Sequence, residues 1–254
     1  MGLFGRKSTD AQNDFDNFPP IGGLMVSKMV SVDKKKPMFM YREKRVRPDD
    51  SGWRIFSGFE SEEYANNPDN IGIYSPSTIL KIDASIADLL LKGVGSVFER
   101  KSHKSKWNSV DDFELEDDYM RTIPLTDKWE ITINNLFERH NEENGDLYFT
   151  TGDKSLRLAI WNSEKNKSEL LKEHEAIINN RDNSDSRTQE KFDFSDANGI
   201  RIGYAIKESD DNKTYDVIYG FTIVDYQVIQ ITLYFDNAKD KDWAIETWKN
   251  VKKK

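Results

Sequence analysis

The stretch DDSGWRIFSGFE, residues 49–60, decides how the first half of this chain folds. Its Asp-Ser-Gly segment at residues 50–52 has the composition that tight turns select, because these residues suit unusual backbone angles. The residues after the turn predict a β-strand, in which Trp53 lies on one face while Arg54 and Phe56 share the other. The same stretch therefore supplies both a core strand and a candidate surface.

The residues before this stretch predict a flexible arm and a β-hairpin. Residues 1–20 are polar and end in two prolines, a composition that favours an arm without fixed structure. Residues 24–30 and 37–41 are strand-like, and the lysine-rich segment 33–36 between them reads as an exposed turn. We therefore expect these two strands to pair with each other.

The residues after the stretch predict short helices, a strand and a linker. Ser75 and the proline that follows it are typical of a helix start, and Asp83 can cap a second helical segment that ends near Gly93. A short strand precedes the polar segment 102–106, which we interpret as a linker. The first folded domain is thus expected over residues 21–101.

Residues 107–254 predict a second domain. A hairpin is expected about residues 151–154, and two long aromatic and β-branched strands are expected over residues 215–224 and 226–235. Asn166 begins a capping-box pattern for one helix, and Asn237 begins a C-terminal helix. The predicted class is α+β, with two domains that each form a mainly antiparallel sheet with packed helices.

Charge and composition restrict the classes of function. Residues 1–106 carry 17 Lys and Arg and 14 Asp and Glu, a net of +3, whereas residues 107–254 carry 20 and 31, a net of −11. The acidic half would repel phosphate, so we expect no nucleic-acid partner. The chain has no cysteine, no apolar leader at its start and no 18-residue apolar run. We therefore expect a cytoplasmic protein with no membrane partner.

The carboxylates near Asp50 raise a chemical alternative. Asp49 and Asp50, with Glu60, Glu62 and Glu63, could form a metal-assisted hydrolytic site, since paired carboxylates serve acid–base chemistry and hard cations. The competing interpretation is a turn with solvated side chains, which the Asp-Ser-Gly composition favours. No nucleophile motif, phosphate loop or metal-ligand spacing accompanies the group, so we predict neither cofactor nor metal.

Aromatic side chains form a second candidate group in the same region. Trp53, Phe56, Phe59, Tyr64 and Tyr74 lie within about two dozen positions, and some of them must build the core. Those that face outward would anchor a protein partner, because aromatic residues dominate binding hot spots. Gly52 and Gly58 flank the strand, where we expect a bulge or a close backbone contact.

The first domain resembles a bacterial family of immunity-protein-like domains. The resemblance covers about residues 22–101 and is carried in order by MFMYRE at 38–43, DSGWR at 50–54, FSG at 56–58, Tyr64 and NIGIY at 70–74. It implies a domain that blocks a toxin and assigns no catalytic residue. Residues 107–252 are similar to PsbP-like folds in the order of their strands and helices.

These observations predict a non-enzymatic protein-binding module, an immunity protein that neutralises a bacterial toxin by occlusion. The predicted partner-binding residues are Asp49, Asp50, Trp53, Phe56, Glu60, Glu62, Tyr64 and Tyr74. Their carboxylates would steer a basic partner surface onto an aromatic centre. Two alternatives stay open, namely the hydrolase near Asp50 and Glu60 and a structural or ligand-binding accessory protein.

Overall fold

The computed structural model describes residue 15, residues 17–209 and residues 213–254. Most of the predicted arm at residues 1–20 lies outside the described residues. The chain forms two compact units, Met1–Phe113 and Glu114–Lys254. Mixed α and β structure is present, dominated by three sheets and with few helices. No helix among the described residues has the length and apolar character needed to cross a membrane.

The described residues of the first unit contain six strands and three short α-helices. In chain order they are β1 (Gly23–Ser27), α1 (Lys28–Ser31), β2 (Phe39–Arg42), β3 (Asp50–Phe56), α2 (Glu62–Asn66), β4 (Ile71–Tyr74), α3 (Pro76–Leu80), β5 (Val97–Glu99) and β6 (Asn108–Ser109). Single 3-10 turns cover Pro68–Asn70, Ala84–Ile86 and Leu89–Leu91. The predicted helical turn after Ser75 and the cap at Asp83 are confirmed.

The strands of the first unit form one sheet in the order β4-β1-β3-β2-β5-β6. The predicted hairpin between residues 24–30 and 37–41 is wrong, because β3 lies between β1 and β2 and pairs with both. β1 runs parallel to β3, and α1 begins where the second half of the first hairpin strand was expected. β6 follows the expected linker at residues 102–106 and pairs with β5 in this sheet.

One face of this sheet builds the core of the first unit. Trp53 and Ile55 of β3 are completely buried there, with Met40 of β2 and the α3 residues Ile79 and Leu80. The Trp53 indole N–H donates to the Leu90 carbonyl at 3.0 Å, which satisfies its only polar group. The strand face predicted for Trp53 is therefore the core face.

Residues 50–52, where a turn was expected, are the first residues of β3 instead, and this strand requires glycine at residue 52. Gly52 has a φ of +81°, and a Cβ placed on it would lie 2.2 Å from the Glu43 carbonyl oxygen. The close backbone contact expected at Gly52 is confirmed, and a side chain there would displace the neighbouring strand.

The second unit contains ten strands and two α-helices among its described residues. They are β7 (Met120–Pro124), β8 (Trp129–Asn134), β9 (Glu138–Asn141), β10 (Leu147–Thr150), β11 (Lys154–Asn162), α4 (Lys167–Asn179), β12 (Glu190–Asp193), β13 (Ile200–Ser209), β14 (Thr214–Val224), β15 (Gln227–Phe235), α5 (Lys241–Lys249) and β16 (Val251–Lys253). Seven strands form a sheet in the order β12-β13-β14-β15-β11-β10-β9, and three form a sheet in the order β16-β8-β7.

Several local predictions for this unit are confirmed. β10 and β11 form the hairpin about residues 151–154, and β14 and β15 are neighbouring antiparallel strands. Asn166 and Glu169 form the capping box of α4, with both reciprocal hydrogen bonds present.

The two helices of this unit pack against opposite faces of the seven-stranded sheet. Trp248 of α5 lies over Gly220 and donates its indole N–H to the Thr222 hydroxyl at 3.0 Å. Leu170 of α4 packs instead with Ile223, which has the opposite orientation in the same strand. α4 therefore covers the second face, where it forms one wall of a cavity.

Candidate functional site

The face of the first sheet opposite Trp53 carries a cluster of aromatic rings. Phe39 and Tyr41 alternate with the buried Met40 in β2, and Phe56 alternates with the buried Ile55 in β3. Strand alternation therefore directs these three rings away from the core. Phe113 adds a fourth ring from the end of the unit. We call Phe39, Tyr41, Phe56 and Phe113 the aromatic face.

The four rings contact one another directly. The Phe113 centroid lies 5.2 Å from Phe39 and 5.0 Å from Tyr41, and the Tyr41 and Phe56 rings are stacked at 6.2 Å. Phe39, Tyr41 and Phe56 are half-buried, and Phe113 is 37% exposed. Such spacings are typical of mutually stabilising aromatic pairs. The aromatic face is therefore a preformed apolar surface with its outermost ring open to solvent.

A buried charged group lies beside the aromatic face. Arg54 pairs in register with Tyr41, and its guanidinium donates to both oxygens of Asp50 at 2.9 and 2.8 Å. Its Nε atom donates to Glu43 at 2.7 Å. We call Arg54, Asp50 and Glu43 the Arg54 cluster, which carries a net charge of −1. This bidentate geometry fixes the strand and the carboxylates together.

The Arg54 cluster controls two neighbouring pKa values. Burial would raise the pKa of the Asp50 carboxyl, but hydrogen bonds from Arg54 and the Gly52 amide, with the Arg54 charge, hold that pKa below its ordinary value. Burial and the Glu43 carboxylate raise the pKa of the Tyr41 hydroxyl. Asp50 is thus an ionised structural group, while Tyr41 stays protonated at neutral pH.

The structure does not bring the predicted binding residues together on one surface. The structure corrects the prediction that Trp53 binds a partner, because the burial of its side chain prevents any such contact in this fold. Asp50 is also buried and bonded to Arg54. Asp49 is 78% exposed, with its carboxylate 3.6 Å from Arg47. Phe56 belongs to the aromatic face.

The remaining predicted residues lie beyond β3. Glu62 is exposed and Tyr64 is half-buried, both on α2. Tyr74 is half-buried at the edge of the core. Glu60 accepts a hydrogen bond from the Ser57 backbone amide at 2.9 Å. Burial would raise the pKa of the Glu60 carboxyl, but hydrogen bonds from Ser27 and Ser57 hold that pKa below its ordinary value. These residues surround the strand rather than converge on one site.

Sequence reasoning missed three members of the aromatic face. Phe39 and Tyr41 could have been found, since they alternate with two methionines in a predicted strand. Phe113 could not, because it follows β6 in a segment without secondary structure that returns to β2. Phe59 is 63% exposed beside the Lys35 ammonium and makes no ring contact with the aromatic face within the described chain.

The described part of the chain contains no assembled metal site that would support the hydrolase alternative. No group of three or more His, Asp or Glu residues there is arranged to hold a metal ion. Both oxygens of Asp50 are bonded to Arg54, and Glu60 binds the Ser57 amide instead. The two carboxylates on which this alternative depends thus have separate structural partners.

The match to a known family covers the sheet that carries the aromatic face. Residues 24–111 match the family model of the immunity protein Imm33 domain. This match begins in β1 and extends past β6, so the Imm33 region contains all six strands of the first sheet. It includes the Arg54 cluster and three rings of the aromatic face, whereas Phe113 follows it. The recognised resemblance to immunity proteins is confirmed.

Solved structures resemble the chain at low sequence identity. The solution structure of cyanobacterial PsbP (CyanoP) from Synechocystis sp. PCC 6803 is 9% identical, with a TM-score of 0.41, and the alignment covers 58% of this chain and 98% of that one. A crystal structure from Bacteroides thetaiotaomicron VPI-5482 is 8% identical, with a TM-score of 0.37 and coverages of 50% and 45%. No curated protein is similar enough to this sequence to count as a match.

Proposed function

We propose that this protein is a non-enzymatic binding module that neutralises a bacterial toxin in the cytoplasm by occluding it. The match of residues 24–111 to the Imm33 domain is the observation that carries the proposal. An occluding protein needs a preformed surface rather than a catalytic group, and the aromatic face supplies one. Its rings already contact one another, so little side-chain entropy is lost on binding.

The aromatic face has the composition of a binding hot spot. Phe113 lies outermost, in contact with Phe39 and Tyr41, and half-buried rings flank it. Rings held in this way add large apolar contact area at low entropic cost. Phe113 would enter a pocket of the toxin, and the surrounding rings would exclude water from that contact.

The charges around the aromatic face favour a basic partner surface. Glu99 pairs in register with Phe39 and is exposed, and Asp112 precedes Phe113 and is also exposed. The Arg54 cluster adds a net −1 beside Tyr41. A toxin that acts on nucleic acid or on another anionic substrate presents positive charge at its active surface. Electrostatic steering would then speed association and make it salt-dependent.

The test first identifies the toxin by capturing the tagged full chain from its native host and analysing what stays bound by mass spectrometry. We expect Phe113→Ala to weaken toxin binding by about 2 kcal/mol, roughly 30-fold, because it removes the ring that would enter the toxin pocket. Phe59→Ala is the matched control, since it removes a more exposed phenylalanine of the same unit that lies apart from the aromatic face. Its affinity should equal that of the unaltered protein.

Calorimetry measures the affinity of each variant for the toxin at two salt concentrations. Weaker binding of Phe113→Ala alone, together with lower affinity at higher salt, supports the proposal. Equal affinities for both variants would refute the aromatic face as the binding surface. Failure of the unaltered protein to bind the toxin or to protect cells that produce it would refute the immunity function itself.

A further inference from the structure

A cavity of about 390 Å³ lies between α4 and the seven-stranded sheet of the second unit. Its principal lining residues are Trp161, His174, Tyr204, Tyr219, Phe221 and Gln230. This volume is within the range of natural small-molecule sites. None of these residues belongs to the Imm33 region or to the aromatic face. We call this feature the α4 cavity.

The fold places two polar residues of the α4 cavity, His174 and Gln230, beside the same phenylalanine. Gln230 of β15 is the register partner of Phe221 in β14, so both side chains rise from the same face of the sheet. The His174 ring of α4 contacts Phe221, with centroids 4.6 Å apart and the planes inclined at 64°. His174 and Gln230 therefore both neighbour Phe221 on this face of the sheet.

His174 offers a hydrogen-bond acceptor to the cavity. Its ring is 4% exposed, and its Nδ1 atom lies 2.8 Å from the Leu170 carbonyl oxygen. A carbonyl oxygen can only accept, so Nδ1 donates to it, and in the imidazole tautomer with its hydrogen on Nδ1 the Nε2 atom is an acceptor. No side chain or backbone group of the described chain donates to Nε2. A buried imidazole whose acceptor nitrogen has no partner in the protein can accept a hydrogen bond from a ligand.

Gln230 supplies a complementary donor and acceptor. Its side-chain amide is half-buried on the cavity floor and has no hydrogen-bond partner among the described residues. The neighbouring Gln227, by contrast, donates its amide to Asn162 at 2.8 Å. A half-buried amide that faces a cavity gains most from a ligand that both accepts and donates.

The charged groups around the cavity are already paired. Lys165 and Glu173 at the rim form an ion pair of 2.9 Å, and the Tyr219 hydroxyl donates to Glu208 at 2.7 Å. The cavity therefore offers no unbalanced charge to an ionic ligand. Its walls are aromatic instead, and they include Trp161, which is 37% exposed, and Tyr219 of β14. Flat apolar walls favour a flat ligand, which can stack against them.

We propose that the α4 cavity binds a small, uncharged, planar heterocycle that carries adjacent N–H and C=O groups, as in the hydrogen-bonding edge of a nucleobase. A ligand N–H donates to Nε2 of His174, and the Gln230 amide pairs with the neighbouring ligand groups. The ring stacks on the aromatic walls. This site is independent of toxin binding, because it lies wholly within the second unit.

The experiment titrates the full chain with uridine and guanosine, whose bases carry adjacent N–H and C=O groups, and with adenosine and cytidine, whose bases lack that pair. Saturation transfer to each nucleoside is followed by NMR. We expect uridine or guanosine to bind at up to millimolar concentration, and the ¹⁵N resonance of His174 Nε2 to move on binding. Gln230→Leu should weaken that binding roughly tenfold, because it removes the paired hydrogen bonds. Gln189→Leu changes an exposed glutamine outside the cavity and should leave affinity unchanged.

Two results would overturn the proposal. One is the absence of saturation transfer to both uridine and guanosine while the protein retains its folded spectrum. The other is binding that leaves the His174 resonance in place and is equal in Gln230→Leu and Gln189→Leu. A selective loss in Gln230→Leu, with its folded spectrum retained, supports the assignment.

Discussion

Removing the Asp50 carboxylate should destabilise the first unit more than any surface charge change. Asp50 and Arg54 are 4% and 7% exposed, and both Asp50 oxygens accept from the guanidinium. Breaking a buried ion pair from one side costs about 3–5 kcal/mol, since the other charge stays buried. Glu43 still neutralises Arg54 at 2.7 Å, so Asp50→Asn should fall at the lower limit, about 3 kcal/mol.

The adjacent aspartate provides a matched control. Asp49 is 78% exposed and lies 3.6 Å from an exposed Arg47, a geometry that contributes at most about 1 kcal/mol. Asp49→Asn makes the same chemical change one residue away. The assay is urea unfolding at pH 7, followed through NMR amide signals of β3 so that the first unit is observed separately.

The effect of Asp50→Asn should depend on pH in a defined direction. The folded-state pKa of Asp50 is depressed, so its stabilisation is complete well above the unfolded value of about 3.9 and is lost as pH falls through the folded pKa. The difference between the unaltered protein and Asp50→Asn should therefore shrink below about pH 5. Equal stabilities of Asp50→Asn and Asp49→Asn at pH 7 would refute the reasoning.

Two further predictions concern backbone geometry and helix capping. Gly52→Ala should lower the free energy of unfolding by at least about 3 kcal/mol, because it adds a clash with the Glu43 carbonyl oxygen to the strain of positive φ. Gly145 also has positive φ but has open space around it, so Gly145→Ala should lower the free energy of unfolding by about 1 kcal/mol. Urea unfolding of the two variants measures the difference, and equal losses of stability would contradict the close contact at Gly52. Asn166→Ala should destabilise the second unit by about 1 kcal/mol through loss of the α4 capping box, which calorimetric melting checks; an unchanged melting temperature would show that the cap adds nothing.

Local sequence signals predicted the second unit well. The hairpin at residues 151–154 and the capping box at Asn166 depend on neighbours within a few positions, so their patterns are visible in the chain. The pairing of β14 with β15 likewise needs only a short turn. Each of these structures is determined by interactions close in sequence.

Long-range pairing was not predictable in the same way. β1 and β2 were expected to form a hairpin, but the turn between them contains no tight two-residue signal, and β3 inserts between the strands. Parallel pairing of β1 with β3 depends on contacts across more than two dozen residues. A single sequence shows the two strands without showing what separates them.

The sequence predicted where the candidate site lies better than it predicted which residues form it. Strand alternation correctly placed Arg54 and Phe56 opposite Trp53, yet it could not show that Trp53 fills the core. The carboxylate of Asp50 was visible as a residue type, while its pairing with Arg54 required the geometry of β3. Phe113 joins the aromatic face through a tertiary contact alone.

Hydrogen–deuterium exchange of the protein, with and without the toxin, maps the surface that the toxin covers. We expect toxin binding to protect backbone amides of β2, β3 and β5 and of the segment around Phe113. Protection confined to residues 114–254, or none at saturating toxin, would contradict the proposal that the aromatic face of the Imm33 region occludes the toxin.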